Sequence, residues 1–380
     1  MNIEAVRQLF PITRNWNYQN HAFVSPLPAP VREAMNSFHM QRETDGSLFY
    51  AKWFEDVERS KDVISSLINS SGDEIAFFTS TSHALSSVAQ MIQLKEGDEV
   101  LLTDLEFPSN TFPWLNLRQK GIRVNWCRSK NGIVTPTDIE ERVSSRTKVI
   151  SISSVCYYNG FAVDLESIAE MARKHGLTLV VDPMQSLGAL RIDVRKLNLD
   201  FLACNSYKWL LGPFGIAFLH CRKDWIERLQ PPCVGWYSVN DTRSRQIDEL
   251  ELAHTAKRFE TGHPNFSGIC GLRTAVELLL RVGPEIIEHR VLSLTARIRK
   301  ALSAHNTIEI LSPEGSRSGI TLFRVHGKDP DDVVEALRRK RIVVYPQPWK
   351  DGRGVKVSPH FYNTEDEVDA FVEAVRTLAK

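Results

Sequence analysis

The chain has 380 residues, 42% of them hydrophobic and 24% charged, enough for one large core and a smaller second domain. Its 47 lysines and arginines against 46 acidic residues leave a net charge of +1, which gives no electrostatic basis for nucleic acid or an anionic membrane as partner. The six cysteines include no CxxC pair, so neither a zinc site nor a disulfide framework is indicated, and no run approaches the roughly 18 apolar residues of a membrane helix.

In chain order, MNIEAVRQLFPITRNW carries charges within its first seven residues and has no apolar h-region, so a cytoplasmic protein without signal peptide is expected. From about residue 73, short β-branched runs alternate with amphipathic stretches. EIAFF (74–78), EVLLTD (99–104), IRVNWC (122–127), KVISIS (148–153), TLVVD (178–182), DFLAC (200–204) and GIAFLH (215–220) read as strands. Between them, DLESIAEMARKHG (164–176) repeats apolar residues at helical spacing and ends on Gly176 as a C-cap. This alternation predicts an α/β domain with a mostly parallel seven-stranded sheet, whose ligands sit beyond the carboxyl ends of the strands.

After about residue 265 the pattern changes. Two long helices (266–283 and 284–305) precede GITLFRV (319–325), a helix over 329–341, IVVYPQ (342–347), GVKVS (354–358) and a closing helix over 365–380. Two domains are expected: a large one over 16–265, and a smaller α+β C-terminal one over 266–380 that also takes residues 1–15.

Chemistry is sought at the strand ends. TLVVD ends in Asp182, followed by Gln185, and DFLAC opens into NSYKWLLGPFG with Lys208 between two aromatics. Taken singly, Asp182 reads as a turn former, Gln185 as a surface residue and Lys208 as a snorkelling side chain. FFTSTSHAL places Thr79, Ser80, Thr81 and Ser82 at a helix start, where hydroxyls and free N–H groups suit a phosphate or simply cap the helix. Phe107 follows EVLLTD as an aromatic plate or a core residue. Together they supply what pyridoxal phosphate requires: an amine nucleophile, a carboxylate for the pyridine nitrogen, a donor to the phenolic oxygen, a phosphate cup and a ring stack.

The chain resembles the class V aminotransferase family of fold-type I pyridoxal-phosphate enzymes, in its cysteine-desulfurase-like and isopenicillin-N-epimerase-like group. The motifs that carry the likeness are NHAFVSPLPAPVREAM (20–35), DLEFPSNTFPW (104–114), VVDPMQSLGAL (180–190), NSYKWLLGPFG (205–215), KRFETGHPNFSGICGL (257–272) and VSPHFYNTEDEVD (357–369). The resemblance implies that Lys208 forms the Schiff base and shuttles the Cα proton, that Asp182 keeps the pyridine nitrogen protonated, and that Gln185 donates to the phenolic oxygen. Phe107 takes the stacking place, and Thr81, Ser82, Asn205 and Tyr207 match the phosphate contacts. His263 and Asn265 would reach the cofactor phosphate of the neighbouring subunit in a homodimer.

The departures narrow the activity. Desulfurases of this group carry a reactive cysteine in the small domain, whereas no cysteine follows Cys270 here, so persulfide chemistry is disfavoured. Tyr157 replaces their carboxylate-binding asparagine. Lys356 stands where most members have the arginine that clamps the substrate carboxylate; either Lys356 binds it, or Arg353 or Arg258 substitutes, or the substrate differs at that end. Trp114, Trp236 and Tyr237 are candidate pocket-lining aromatics outside the catalytic set. The expected function is an aminotransferase or a β-eliminating C–S lyase acting on an amino acid, with an epimerase or a non-catalytic homodimer as the alternatives.

Overall fold

The structure, a computed structural model, describes residues 2–243, 248–349 and 352–379. The seven β-branched runs become β1 (Ile75–Phe78), β2 (Glu99–Thr103), β3 (Arg123–Cys127), β4 (Thr147–Ser153), β5 (Thr178–Asp182), β6 (Phe201–Asn205) and β7 (Ala217–Cys221). Their order across the sheet is β1-β7-β6-β5-β4-β2-β3, and only β7 runs antiparallel to its neighbours. Successive side chains point to opposite faces, and both faces are buried except along edge strand β3, where only Cys127 is. Leu101, Ile152, Val181 and Leu202 enter one core, while Val100, Leu102, Val180 and Phe201 enter the other.

Helices α1 (Ala29–Asp45), α2 (Tyr50–Leu67), α3 (Thr81–Met91), α4 (Pro108–Asn116) and α5 (Leu165–Lys174) accompany this sheet. In α5 the predicted stripe of Ile168, Ala169, Met171 and Ala172 is the buried face, and Gly176 takes φ +63 after the helix end. Helix α6 (Phe266–Val282), which the sequence reading places in the C-terminal domain, packs instead against α1 and α2. Its Ile269, Leu272, Val276 and Leu279 share a core with Leu101 and Phe218 of the large sheet. Helical periodicity shows that an apolar face exists and leaves open which domain covers it.

The C-terminal domain is built on α7 (Pro284–Ser303), α8 (Pro330–Arg339) and α9 (Glu365–Leu378) around a second sheet. The expected closing helix ends within the described residues at Leu378, and Lys380 lies outside them. Strands β8 (Ile308–Ile310), β9 (Thr321–Val325), β10 (Tyr345–Trp349) and β11 (Gly352–Val357) pair antiparallel in the order β10-β11-β9-β8. This is one strand more than expected, because three residues of β8 are too few to show a period. The predicted run 342–347 divides. Ile342–Val343 pairs in parallel with Asn17–Tyr18 of the N-terminal segment, and the rest starts edge strand β10, which tolerates Pro346 and Pro348. Residues 17–21 continue as a strap along this domain: Gln19 N–H donates to the Val343 carbonyl at 3.0 Å, and Ser358 N–H to the Gln19 carbonyl at 2.8 Å. Among the described residues no helix is long and apolar enough to cross a membrane.

Candidate active site

Strand β5 is buried along its length and ends in Asp182, whose carboxyl receives the Met184 N–H at 2.9 Å. Burial above all pushes this carboxyl up to about 7; the Met184 bond and the Lys208 charge oppose the rise, and Glu106 adds to it. The neighbouring β6 ends at Asn205 and leads into a tight turn, in which Leu211 takes φ +60 and the Ser206 hydroxyl bonds the Pro213 carbonyl. Lys208 lies in this turn, half-buried, with its Nζ 5.9 Å from the Phe107 ring centre. Burial lowers its ammonium to about 8, against the pull of Asp182. Desolvation therefore brings both groups toward their neutral forms despite their opposite charges.

Helix α3 opens next to this turn. Ser80 is its N-cap, accepting from His83 N–H, and the backbone N–H groups of Thr81 and Ser82 begin the first turn. Thr81 is buried and its hydroxyl accepts the Asn205 N–H at 2.8 Å, which ties the helix start to the end of β6. The Ser82 hydroxyl meets that of Ser109 at 2.7 Å. Tyr207 stacks on Phe214 at 4.6 Å. Phe107 is 44% exposed and presents a ring to the crevice. The sequence reading missed Glu106 beside it. This buried carboxyl accepts from the Thr103 hydroxyl, the Asn110 amide, and the Ser153 N–H and hydroxyl, at 2.5 to 2.8 Å. Four donors anchor the loop that carries Phe107, and a charged residue next to the aromatic was the only available signal.

Gln185 has a fixed amide orientation. Its Nε2 donates to the Ala22 carbonyl at 2.9 Å, and its Oε1 accepts the Trp209 indole N–H at 3.1 Å, so a flip would lose both bonds. Among the described residues nothing accepts the second Nε2 hydrogen. Trp209 follows Lys208 directly and is itself pinned, since His360 Nε2–H donates to its carbonyl at 3.0 Å. His360 Nδ1 accepts the Phe361 N–H at 2.8 Å, so this ring is the neutral Nε2–H tautomer, with its proton affinity lowered to about 4 by burial. Gly188 is required here: it adopts φ +102, and a Cβ on it would run into the Trp209 carbonyl.

Lys356 projects from β11 and is buried, 3% exposed. Its Nζ donates to the Gln347 side-chain oxygen at 2.7 Å and to the Tyr157 carbonyl at 3.0 Å. Both acceptors are neutral. Burial, with the Lys208 charge as the next cause, lowers this ammonium to about 7. Neither candidate substitute is free to serve here. Arg353 pairs with Asp331 at 2.6 Å, and Arg258 donates to the Ile226 carbonyl at 3.0 Å in the core on the other side of the large sheet. Trp114 belongs to that same core, Tyr237 is buried, and Trp236 lies 4.8 Å from His263. His263 and Asn265 are both exposed and line a cavity that also takes in Thr79 and Gly215. His263 bonds the Tyr50 hydroxyl at 2.8 Å, and Asn265 caps α6 through Gly268 N–H while donating to the Gly215 carbonyl at 3.1 Å.

The family model for class-V aminotransferases matches residues 18–371. The chain belongs to that family. A relative named "Probable cysteine desulfurase" from Methanothermobacter thermautotrophicus is 28% identical over 401 aligned residues, covering 100% of this chain and 98% of the relative. An isopenicillin N epimerase of Amycolatopsis lactamdurans is 29% identical over 323 residues, covering 81% of each. The solved apo cysteine desulfurase from Thermococcus onnurineus NA1 superposes with a TM-score of 0.91 at 26% identity, over 99% of this chain and 98% of its own. The fold is shared with the cystine C-S lyase C-DES, TM-score 0.89 at 21% identity, covering 96% of this chain and 98% of that one.

This class-V aminotransferase is therefore a pyridoxal-phosphate enzyme of fold type I, and its own residues fit the cofactor. Asp182 is a buried carboxyl that, among the described residues, has no cationic hydrogen-bond partner, which suits a protonated pyridine nitrogen. The spare Gln185 N–H suits the phenolic oxygen. The start of α3, with Thr81 and Ser82, offers N–H groups and hydroxyls for a phosphate, and the exposed Phe107 ring offers a stacking face.

Proposed function

We propose that this enzyme labilises the Cα proton of an amino acid and completes either a transamination or the β-elimination of a C–S bond. The observation that carries this reading is the pairing of half-buried Lys208 with buried Asp182 at the ends of adjacent strands, each shifted toward neutrality by desolvation. When bound, the cofactor supplies an electron sink for charge developing at the substrate Cα. Lys208 contributes an amine whose proton affinity burial lowers to about 8; it would hold the cofactor through Nζ and, once displaced by the substrate amine, would take up the Cα proton at that atom. Asp182 ionises against the pyridine nitrogen and keeps its proton in place. Lys356, with two hydrogens committed to Gln347 and Tyr157, directs its third position at the substrate carboxylate. The exposure of His263 and Asn265 supports a homodimer in which they reach the neighbouring subunit's phosphate site. A desulfurase is disfavoured because no cysteine follows Cys270.

Epimerisation is the second reading, and one observation favours it: Lys356 is a second buried amine of lowered proton affinity, and Lys208 is among the causes. The test is a spectral and product screen on purified protein carrying its cofactor. Pyruvate and ammonia release indicates elimination, conversion to the pyridoxamine form indicates transamination, and inversion at Cα without either indicates epimerisation. A protein that stays colourless with added pyridoxal phosphate would sink all three.

A further inference from the structure

Two pairs of aromatic rings flank the two lysines, and Lys356 with the Tyr157 carbonyl links one pair to the other. Lys208 Nζ lies 5.9 Å from the Phe107 ring centre, and Phe107 meets Tyr157 edge-on at 5.1 Å. The Tyr157 carbonyl holds Lys356 Nζ, which sits 5.3 Å above the Tyr345 ring, and Tyr345 stacks on Phe23 at 4.3 Å with planes 23° apart. Four rings from four separate segments converge here. Phe23 is 45% exposed and the two tyrosines are half-buried, so ring surface is left open beside the amine. Among the described residues, the groups touching Lys356, Tyr345 and Phe23 at this end are rings, the Gln347 amide and the Tyr157 carbonyl, all uncharged.

A substrate whose carboxylate engages Lys356 places its side chain within reach of Tyr345, Phe23 and Tyr157. A charged or strongly hydrated side chain would shed water against ring faces that return no hydrogen bond. A flat aromatic side chain would gain offset or edge-on contacts with the same faces. We propose that these rings form the side-chain subsite and that the substrate is an α-amino acid with an aromatic side chain. The proposal rests on the reading of Lys356 as the carboxylate anchor. The Phe107 face remains with the cofactor ring, and the substrate ring meets the Tyr345–Phe23 pair with Tyr157 at its edge.

The experiment titrates the visible band of the cofactor-loaded enzyme with L-phenylalanine, L-alanine and L-glutamate. Half-saturation with phenylalanine is expected at a concentration about tenfold or more below that for alanine or glutamate. Phe23→Ala, at an exposed position, and Tyr345→Leu are each expected to cut the phenylalanine-to-alanine preference by about fivefold. Alanine or glutamate binding as tightly as phenylalanine overturns the inference, as does an unaltered preference in both variants. Those results leave the amino-acid reading standing. A band that responds to none of the three removes the amino-acid reading first, and this inference with it.

Discussion

The large domain buries Lys208 in the field of a carboxyl, Asp182, while the C-terminal domain buries Lys356 among neutral acceptors, the Gln347 amide and the Tyr157 carbonyl. Burial lowers the proton affinity of both amines, to about 8 and about 7 respectively. Their surroundings separate the roles. An amine near a carboxyl that will be claimed by a bound ring is set up for covalent and proton-transfer chemistry. A buried amine with no anion of its own gains most from a ligand that brings one.

If that contrast is right, changes around Lys208 strike turnover and colour, and changes around Lys356 strike affinity. The largest effect is expected for Lys208→Ala: loss of the borohydride-reducible band and a fall in kcat of roughly 10³-fold or more. Retained turnover in that variant would break the contrast at its root. Asp182→Asn keeps the shape and removes the ionisable group, and kcat is expected to drop roughly 10²- to 10³-fold with a smaller change in half-saturation.

Lys356→Ala should raise the half-saturating amino-acid concentration roughly 10- to 100-fold, the range for one charged hydrogen bond in a buried site. The sign of its pH dependence follows from the lowered value: the amine sheds its proton as pH rises through about 7, so carboxylate affinity should fall between pH 7 and pH 9. Lys356→Arg keeps its charge over that range and should flatten the fall; an equally steep profile in that variant would assign the titration elsewhere. The smallest effect concerns Gln185. Trp209→Phe removes the indole N–H that orients its amide, and the pH at which the bound cofactor's band titrates should move up by about half to one unit. Gln185→Ala should move it the same way, and the double variant no further, which distinguishes positioning from lost packing.

Much of the site on the large domain was legible because strand ends are marked by composition. TLVVD and DFLAC announce where Asp182 and Lys208 must emerge, and a parallel sheet brings those ends together. The partners that fix the site were not legible. Gln347 lies in a proline-flanked edge strand with no periodic signal, and only the β10–β11 pairing brings it to Lys356. Trp209 reads as core, and it is core, yet its one polar atom aligns Gln185. Glu106 looks like an ordinary loop acid until Ser153 and Asn110 close around it. The packing of α6 on α1 and α2 has the same origin: a local pattern defines a face, and long-range packing chooses what covers it.

The N-terminal strap gives the two domains a shared mechanical element. Residues 17–21 run along the C-terminal domain, Asn17–Tyr18 as a strand, and the next carbonyl, that of Ala22, holds the Gln185 amide in the large domain. A rotation of the C-terminal domain that carried the strap along would pull on the group assigned to the cofactor's phenolic oxygen. Any hinge that leaves the cofactor undisturbed must therefore bend outside this short tether, which makes the tether a gauge of domain position read at the cofactor.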